Sequence, residues 1–109
     1  MGILEAVILG SMNRNGGAAE ETVSGSAPTV VPSPDTFYQC GTLTSLTIAN
    51  PPATGAYAIV FTSGSTPTTT TITASIHGLE TFAARANTRY EISVWDNYAA
   101  VGSWAVSAS

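Results

Sequence analysis

The sequence predicts a small all-β fold, an antiparallel β-sandwich or barrel-like domain preceded by a short N-terminal helix and a linker. Three observations carry this expectation. Apolar residues recur at every second position in short runs across the C-terminal two-thirds of the 109-residue chain. Turn formers separate the runs, at Asn50-Pro51-Pro52, Ser63-Gly64-Ser65-Thr66-Pro67 and Asp96-Asn97. Finally, Ser and Thr make up about a quarter of the residues, and β-branched threonine suits a half-buried strand surface.

The first zone, residues 1–15, reads as an apolar helix. Leu4, Ile8 and Met12 stand four apart with Ile3 and Val7 alongside, which forms one stripe at helical spacing. Asn13, Asn15, Gly16 and Gly17 supply the stop, because Asn and Gly tolerate the left-handed backbone of a C-cap. A helix of about ten residues is marginal in water by itself. Docking its five large side chains contributes on the order of 8–15 kcal/mol at most, and ordering its backbone costs about as much. It therefore needs a preformed groove or symmetric copies of itself. Anchoring to other chains through Ile3, Leu4, Val7, Ile8 and Met12 is the favoured use. Folding back onto the chain's own β-domain as core is the alternative.

Residues 16–34, rich in Gly, Ser, Pro and Glu and free of aromatics, read as a linker stiffened by Pro28, Pro32 and Pro34. Thr29–Val31 is the one piece of it that fits an edge strand. Residues 35–109 read as the β-domain. Leu46 and Ile48 alternate with Thr and Ala. In Ala56–Ser63, Tyr57, Ile59 and Phe61 point one way and Ala58 and Val60 the other, so this strand is apolar on both faces and belongs in the centre of a sheet. Thr69–Ile76 carries a threonine-rich, solvated face. Tyr90, Ile92 and Val94 alternate with Arg89, Glu91 and Ser93 up to Asp96-Asn97, a two-residue hairpin turn that sets Ile92 opposite Val101.

Composition excludes several functions. The net charge is −4 and the whole cationic inventory is Arg14, Arg85 and Arg89, too few to track a phosphate backbone, so nucleic acid is not an expected partner. No apolar run approaches the ~20 residues of a membrane span. The start, MGILEAVILG, lacks a basic region and a cleavage site, so it is a poor signal peptide. Ala6 stands where myristoylation after Gly2 wants Ser or Thr. Cys40 is the single cysteine and His77 the single histidine, which leaves no intrachain disulfide and no all-protein zinc site. A folded part this small usually leans on a disulfide, a metal or a partner, so an oligomer is expected.

No residue pattern carries catalysis or a cofactor. Ser63, His77 and Asp35 or Asp96 supply the residue types of a triad, but there is no G-x-S-x-G elbow, and about a dozen serines make the coincidence certain. Glu20 and Glu21 are adjacent, so they cannot act as a spaced acid/base pair. Asp96 with Asn97 falls short of a calcium site. Gly64 and Gly78 open no phosphate-binding helix. Cys40 fits a small buried hydrophobe. Trp95 and Tyr98 flank the hairpin turn and face away from Ile92 and Val94. They fit a cross-strand pair or subunit contact, and otherwise a stacking platform for sugar rings.

The C-terminal run resembles a module of tailed-bacteriophage structural proteins, in which F-x-S-G-x-T-x-T-x-L precedes N-x-x-Y-E-I-S-I and a closing W. Phe61, Ser63, Gly64 and Thr66 match the first part; Asn87, Tyr90, Glu91, Ile92 and Ser93 match the second; Trp104 closes it. His77-Gly78-Leu79 occupies the stretch where the pattern usually has a tryptophan. The opening LEAVILGSMNRNGG is similar to the apolar start and glycine stretch of phage head-fibre and head-decoration proteins. The resemblance implies a virion component, often trimeric, on either head or tail; the favoured reading is the capsid exterior, in contact with the major capsid protein or other virion proteins. It implies neither enzyme activity nor a cofactor. The alternative is a tail-fibre or baseplate module that binds a receptor or glycan through Trp95 and Tyr98.

Overall fold

Each of the first six strands runs only until the chain bends and crosses to a second sheet, and this alternation produces the architecture. The computed structural model describes residues 19–49, 55–72 and 76–106. Its strands are β1 (Ala19–Val23), β2 (Thr29–Val30), β3 (Thr36–Leu43), β4 (Ser45–Ile48), β5 (Ala56–Ser63), β6 (Thr69–Ile72), β7 (Thr88–Trp95) and β8 (Tyr98–Ala105). The odd strands β1, β3 and β5 stack side by side with β7 and β8 in one sheet, and β2, β4 and β6 stack in the other. The chain thus winds three coils, each giving one strand to each sheet, and a hairpin closes the larger sheet.

All-β is what the structure shows, but the expected antiparallel arrangement is corrected. β1 with β3, β3 with β5, β2 with β4 and β4 with β6 all pair in parallel. Only β5 with β7 and β7 with β8 are antiparallel. The physical reason is the connection. Two-residue turns make antiparallel neighbours, whereas parallel neighbours need a crossover, here supplied by the second sheet. Alternating hydrophobicity reports which face of a strand is buried and is silent on the direction of its neighbour.

The linker reading of residues 16–34 is corrected from Ala19 onward, while the edge strand expected at Thr29–Val31 is present as β2. β1 and β2 lie within the stretch read as a linker and are hydrogen-bonded into the two sheets as the first coil. Low hydrophobicity misled there because β1 is an edge strand and is mostly exposed. The helix expected over residues 1–15 lies outside the described residues.

The core lies between the sheets. Tyr57, Ile59 and Phe61 of β5 and Tyr90, Ile92 and Val94 of β7 share one face, and Val30, Leu46 and Ile48 of the smaller sheet join them in one buried cluster. Phe61 and Tyr90 pair across strands and stack at 5.3 Å, and Phe82 meets Tyr90 edge-on at 5.2 Å. β5 is the middle strand of five and is buried on both faces, as its double-sided apolar pattern requires. Ile92 does sit opposite Val101.

Hydroxyl groups secure the corners, which gives part of the Ser/Thr content a structural role. Between β3 and β4 the bend is the single residue Thr44, whose N–H and hydroxyl both donate to the Ser26 carbonyl (2.7 and 3.1 Å), while the Thr69 N–H donates to the Thr44 carbonyl at 2.9 Å. In the third coil the buried Thr68 hydroxyl donates to the Leu43 carbonyl at 2.7 Å, and the Thr68 N–H donates to Ser63 Oγ at 2.8 Å. Backbone groups that leave the ladder at a bend are thereby paired, as buried backbone polar groups must be.

One local device occurs twice. Asp35-Thr36-Phe37-Tyr38 and Asn87-Thr88-Arg89-Tyr90 each begin a strand from a residue at positive φ (55° at Asp35, 53° at Asn87). In both, the threonine hydroxyl donates two residues back, to the Pro34 carbonyl at 3.1 Å and the Ala86 carbonyl at 2.9 Å. In both, the tyrosine hydroxyl accepts the N–H five residues back, from Ser33 at 2.8 Å and from Arg85 at 2.7 Å. Tyr57 differs, because its buried hydroxyl has no hydrogen-bond partner among the described residues.

Two predictions follow from these groups. Tyr38→Phe and Tyr90→Phe each strand a backbone N–H and are expected to cost about 1–3 kcal/mol in urea unfolding, whereas Tyr57→Phe is expected to be neutral or stabilising. Alkaline pH is expected to destabilise the fold in a defined window. Burial pushes the Cys40 thiol from its ordinary 9.0 up to about 11 against the opposing pull of Arg89, and burial, with Tyr38 nearby, pushes the Tyr57 phenol from 10.0 up to about 12. Both groups stay protonated in the fold over a range where they ionise in the unfolded chain. Their contribution is therefore complete below about pH 9 and is lost as pH rises through 11 to 12. Cys40→Ala removes the first part of that decline in unfolding curves measured from pH 8 to 12; an unchanged slope between 9 and 11 would contradict the assignment.

Candidate functional site

The largest exposed apolar side chains outside the core gather at one end of the larger sheet. The turn Asp96-Asn97, with Asp96 at a φ of 56°, joins β7 to β8 and sets Trp95 directly opposite Tyr98. Alternation along β7 places Trp95 on the face opposite Ile92 and Val94, and the two rings are 62% and 66% exposed. The turn is braced from the neighbouring strand, because the Asp96 N–H donates to the Gly55 carbonyl at 3.0 Å.

A third ring extends the pair. His77 forms an isolated parallel bridge with Tyr98, through its N–H to the Asn97 carbonyl at 2.7 Å and its carbonyl to the Ala99 N–H at 2.8 Å. Its imidazole stacks on the Tyr98 ring at 5.1 Å and 25°. Gly78 makes this approach possible. It adopts a φ of +101°, and a Cβ there would lie 2.6 Å from the Ala99 carbonyl oxygen. Glu80 completes the loop: the Gly78 N–H donates to Glu80 Oε1 at 2.8 Å, and Glu80 Oε2 lies 3.6 Å from His77 Nδ1. Backbone N–H groups of Glu80 and Gly78, and then His77, hold the Glu80 carboxyl below the usual carboxylate range. Behind this loop an open cleft of about 410 Å³ is floored by Ile72, Ile76, Leu79 and Phe82.

The other residues singled out in the sequence serve the fold where the structure describes them. Ser63 is fully buried and its hydroxyl accepts the Thr68 N–H. Asp35 occupies a strand-start turn, with its N–H on the Ala56 carbonyl at 2.7 Å and its own carbonyl accepting the Ala19 N–H at 2.8 Å. Glu20 accepts a hydrogen bond from the Gln39 amide at 2.9 Å on the sheet surface. Cys40 is a free, buried thiol. Among the described residues no three His, Cys, Asp or Glu side chains come together to hold a metal ion. Ile3, Leu4, Val7, Ile8 and Met12 lie outside the described residues.

Trp95 and Tyr98 were legible in the sequence as a pair, because the turn fixes their register. Nothing in the sequence sets His77 beside them. Its place beside Tyr98 depends on Gly78 tolerating close backbone contact, which sequence spacing does not report. Gly78→Ala is therefore expected to break the bridge and lower the urea midpoint, costing about 1–3 kcal/mol. Gly25→Ala, where a side chain meets open space, is expected to cost less. Equal losses at the two positions would show that the approach to Ala99 carries no weight. Comparison with protein-family models, with curated proteins and with solved structures finds no match.

Proposed function

We propose that the chain is a non-catalytic structural subunit of a tailed-bacteriophage particle, of the capsid-decoration or head-fibre kind, and that it works as a homo-oligomer, a trimer by preference. One observation carries the reading. The two sequence stretches that resemble the phage module, with twenty residues between Thr66 and Asn87, are adjacent in space. Phe61 pairs with Tyr90 and stacks on it, Ser63 pairs with Thr88, and the Asn87 N–H donates to the Gly64 carbonyl at 2.8 Å. Trp104, the closing aromatic, pairs with Arg89 in the next strand. The resembling residues thus belong to a single packed unit made of β5 and the β7–β8 hairpin.

In this reading the exposed Trp95, Tyr98 and His77 contact the shell or a neighbouring subunit. Aromatic rings give large contact area at little entropic cost, which suits a permanent interface. The anchor expected at residues 1–15 lies outside the described residues; in this reading it adds a second attachment to the shell.

A second reading is favoured by the same rings. An exposed indole beside a stacked phenol and imidazole also suits the apolar face of a sugar, as in a receptor-binding module of a tail fibre or baseplate. The readings separate in two measurements. Gold-labelled antibody against the chain, applied to particles made from the genome that encodes it, is expected to decorate the head; absence from purified particles would overturn both readings. Trp95→Ala and Tyr98→Ala are expected to reduce incorporation into particles about tenfold or more, an interfacial loss of ~1.4 kcal/mol. Loss of glycan or cell binding with normal incorporation at the head would favour the second reading instead.

A further inference from the structure

The larger sheet ends in an edge that is open to another strand. Its outermost strand is β8, and the ladder with β7 fixes which way the backbone of β8 points. The Val106 N–H donates to the Asn87 carbonyl at 3.0 Å. Bonded residues alternate along an antiparallel ladder, so Trp104, Gly102 and Ala100 bond to β7, while Ala99, Val101, Ser103 and Ala105 turn their N–H and carbonyl groups away from it. The Ala99 N–H accordingly donates outward, to the His77 carbonyl at 2.8 Å. That contact is a single bridge, and beyond it Val101, Ser103 and Ala105 meet no other strand among the described residues. An open cleft of about 370 Å³ lies beside them, with Thr88, Ser103, Trp104 and Ala105 among its walls.

The other three sheet edges are guarded. β1 carries Glu20 and Glu21, β2 has two residues and lies between Pro28 and Pro32, and β6 has four residues and follows Pro67. Charge, proline and shortness are the usual means of keeping an edge from pairing with another chain. β8 has eight residues, YAAVGSWA, with no charge and no proline.

We propose that two copies of this chain pair through β8, antiparallel about a twofold axis at Ser103. A parallel pair about a twofold would set N–H against N–H, so a closed pair of identical edges is antiparallel. This register uses the whole open run, residues 101–105, in both copies. Ser103 lies opposite its own copy and Val101 opposite the partner's Ala105, and each such pair exchanges two N–H···O bonds. The same register sets Trp104 opposite the partner's Gly102. These two are a non-bonded pair, where side chains come closest, and the glycine leaves room for the indole to lie across it. Registers centred nearer Tyr98 meet the His77 bridge on Ala99, and those centred nearer the end of β8 lose the match of Trp104 with glycine. The pair occupies the open edge of both copies, so it closes at two and joins two five-stranded sheets into one. The inference does not rest on the assignment to a phage particle, nor on the trimer preferred there, which needs a different face.

Light scattering of the full unmodified chain after gel filtration is expected to give the mass of two chains. A mass of one or three chains overturns the proposal, whereas antibody labelling of particles tests the phage reading alone. The register is tested by crosslinking. Ser103→Cys is expected to be joined to its own copy by a short bismaleimide, because directly opposed bonded residues have Cα atoms ~5.5 Å apart. Ala100→Cys, also exposed, is expected to stay unlinked, since its two copies lie ~20 Å apart in this register. The buried Cys40 takes no part. Equal crosslinking at the two positions overturns the proposal. Ser103→Pro removes an outward N–H and no bond to β7, the placement in which a sheet edge tolerates proline. By symmetry it deletes a hydrogen bond twice, and it is expected to weaken the dimer about tenfold or more. The Ile92–Val101 methyl cross-peak reports whether the hairpin survives the substitution. An unchanged dimer with that cross-peak intact would also overturn the proposal.

Discussion

A strand buried on both faces has to be paired on both edges, and β5 is where this requirement shapes the molecule. One edge of β5 takes the parallel β3, so the chain before it must wind through a second sheet to return in the same direction. The other edge takes the antiparallel β7, which ends the winding and lets the chain close with a tight hairpin. Stacked coils on one side and a hairpin on the other both follow from this one position. The core follows too, since Tyr57, Ile59 and Phe61 on the inner face set the ring and aliphatic contacts that Tyr90, Ile92 and Val94 complete.

A fold that turns so often exposes many backbone groups at its corners, and the sequence answers with short hydroxyl side chains rather than ions. Thr44, Thr68, Thr36, Thr88 and Ser63 each bind backbone at a bend or strand start. Part of the Ser- and Thr-rich composition thereby has a structural role. It also accounts for residue types that elsewhere would suggest chemistry: Ser63, Asp35 and Asp96 all sit where the backbone changes direction.

The two faces of the larger sheet serve different ends. The inner face is ordinary core. The outer face is divided into a covered centre built from Ala58, Val60 and Ser93 and an open aromatic end built from Trp95, Tyr98 and His77. A small-residue floor favours close approach of another backbone, whereas wide exposed rings favour contact with a separate surface.

The sequence by itself determined which face of β4, β5 and β7 is buried and the local geometry of the β7–β8 turn. Period-two hydrophobicity placed Leu46, Ile48, Ile59, Ile92 and Val94 inside, the double-sided pattern placed β5 centrally, and Asp96-Asn97 set Ile92 against Val101 and Trp95 against Tyr98. These are local properties, legible because side-chain alternation and two-residue turns act over a few neighbours. Strand direction, the recruitment of β1 and β2 from a stretch that looked like a spacer, and the stacking of His77 on Tyr98 were decided only by the tertiary structure. Each depends on a hydrogen-bond partner tens of residues away, or on a close backbone contact such as Gly78 against Ala99, and no local pattern encodes such a partner.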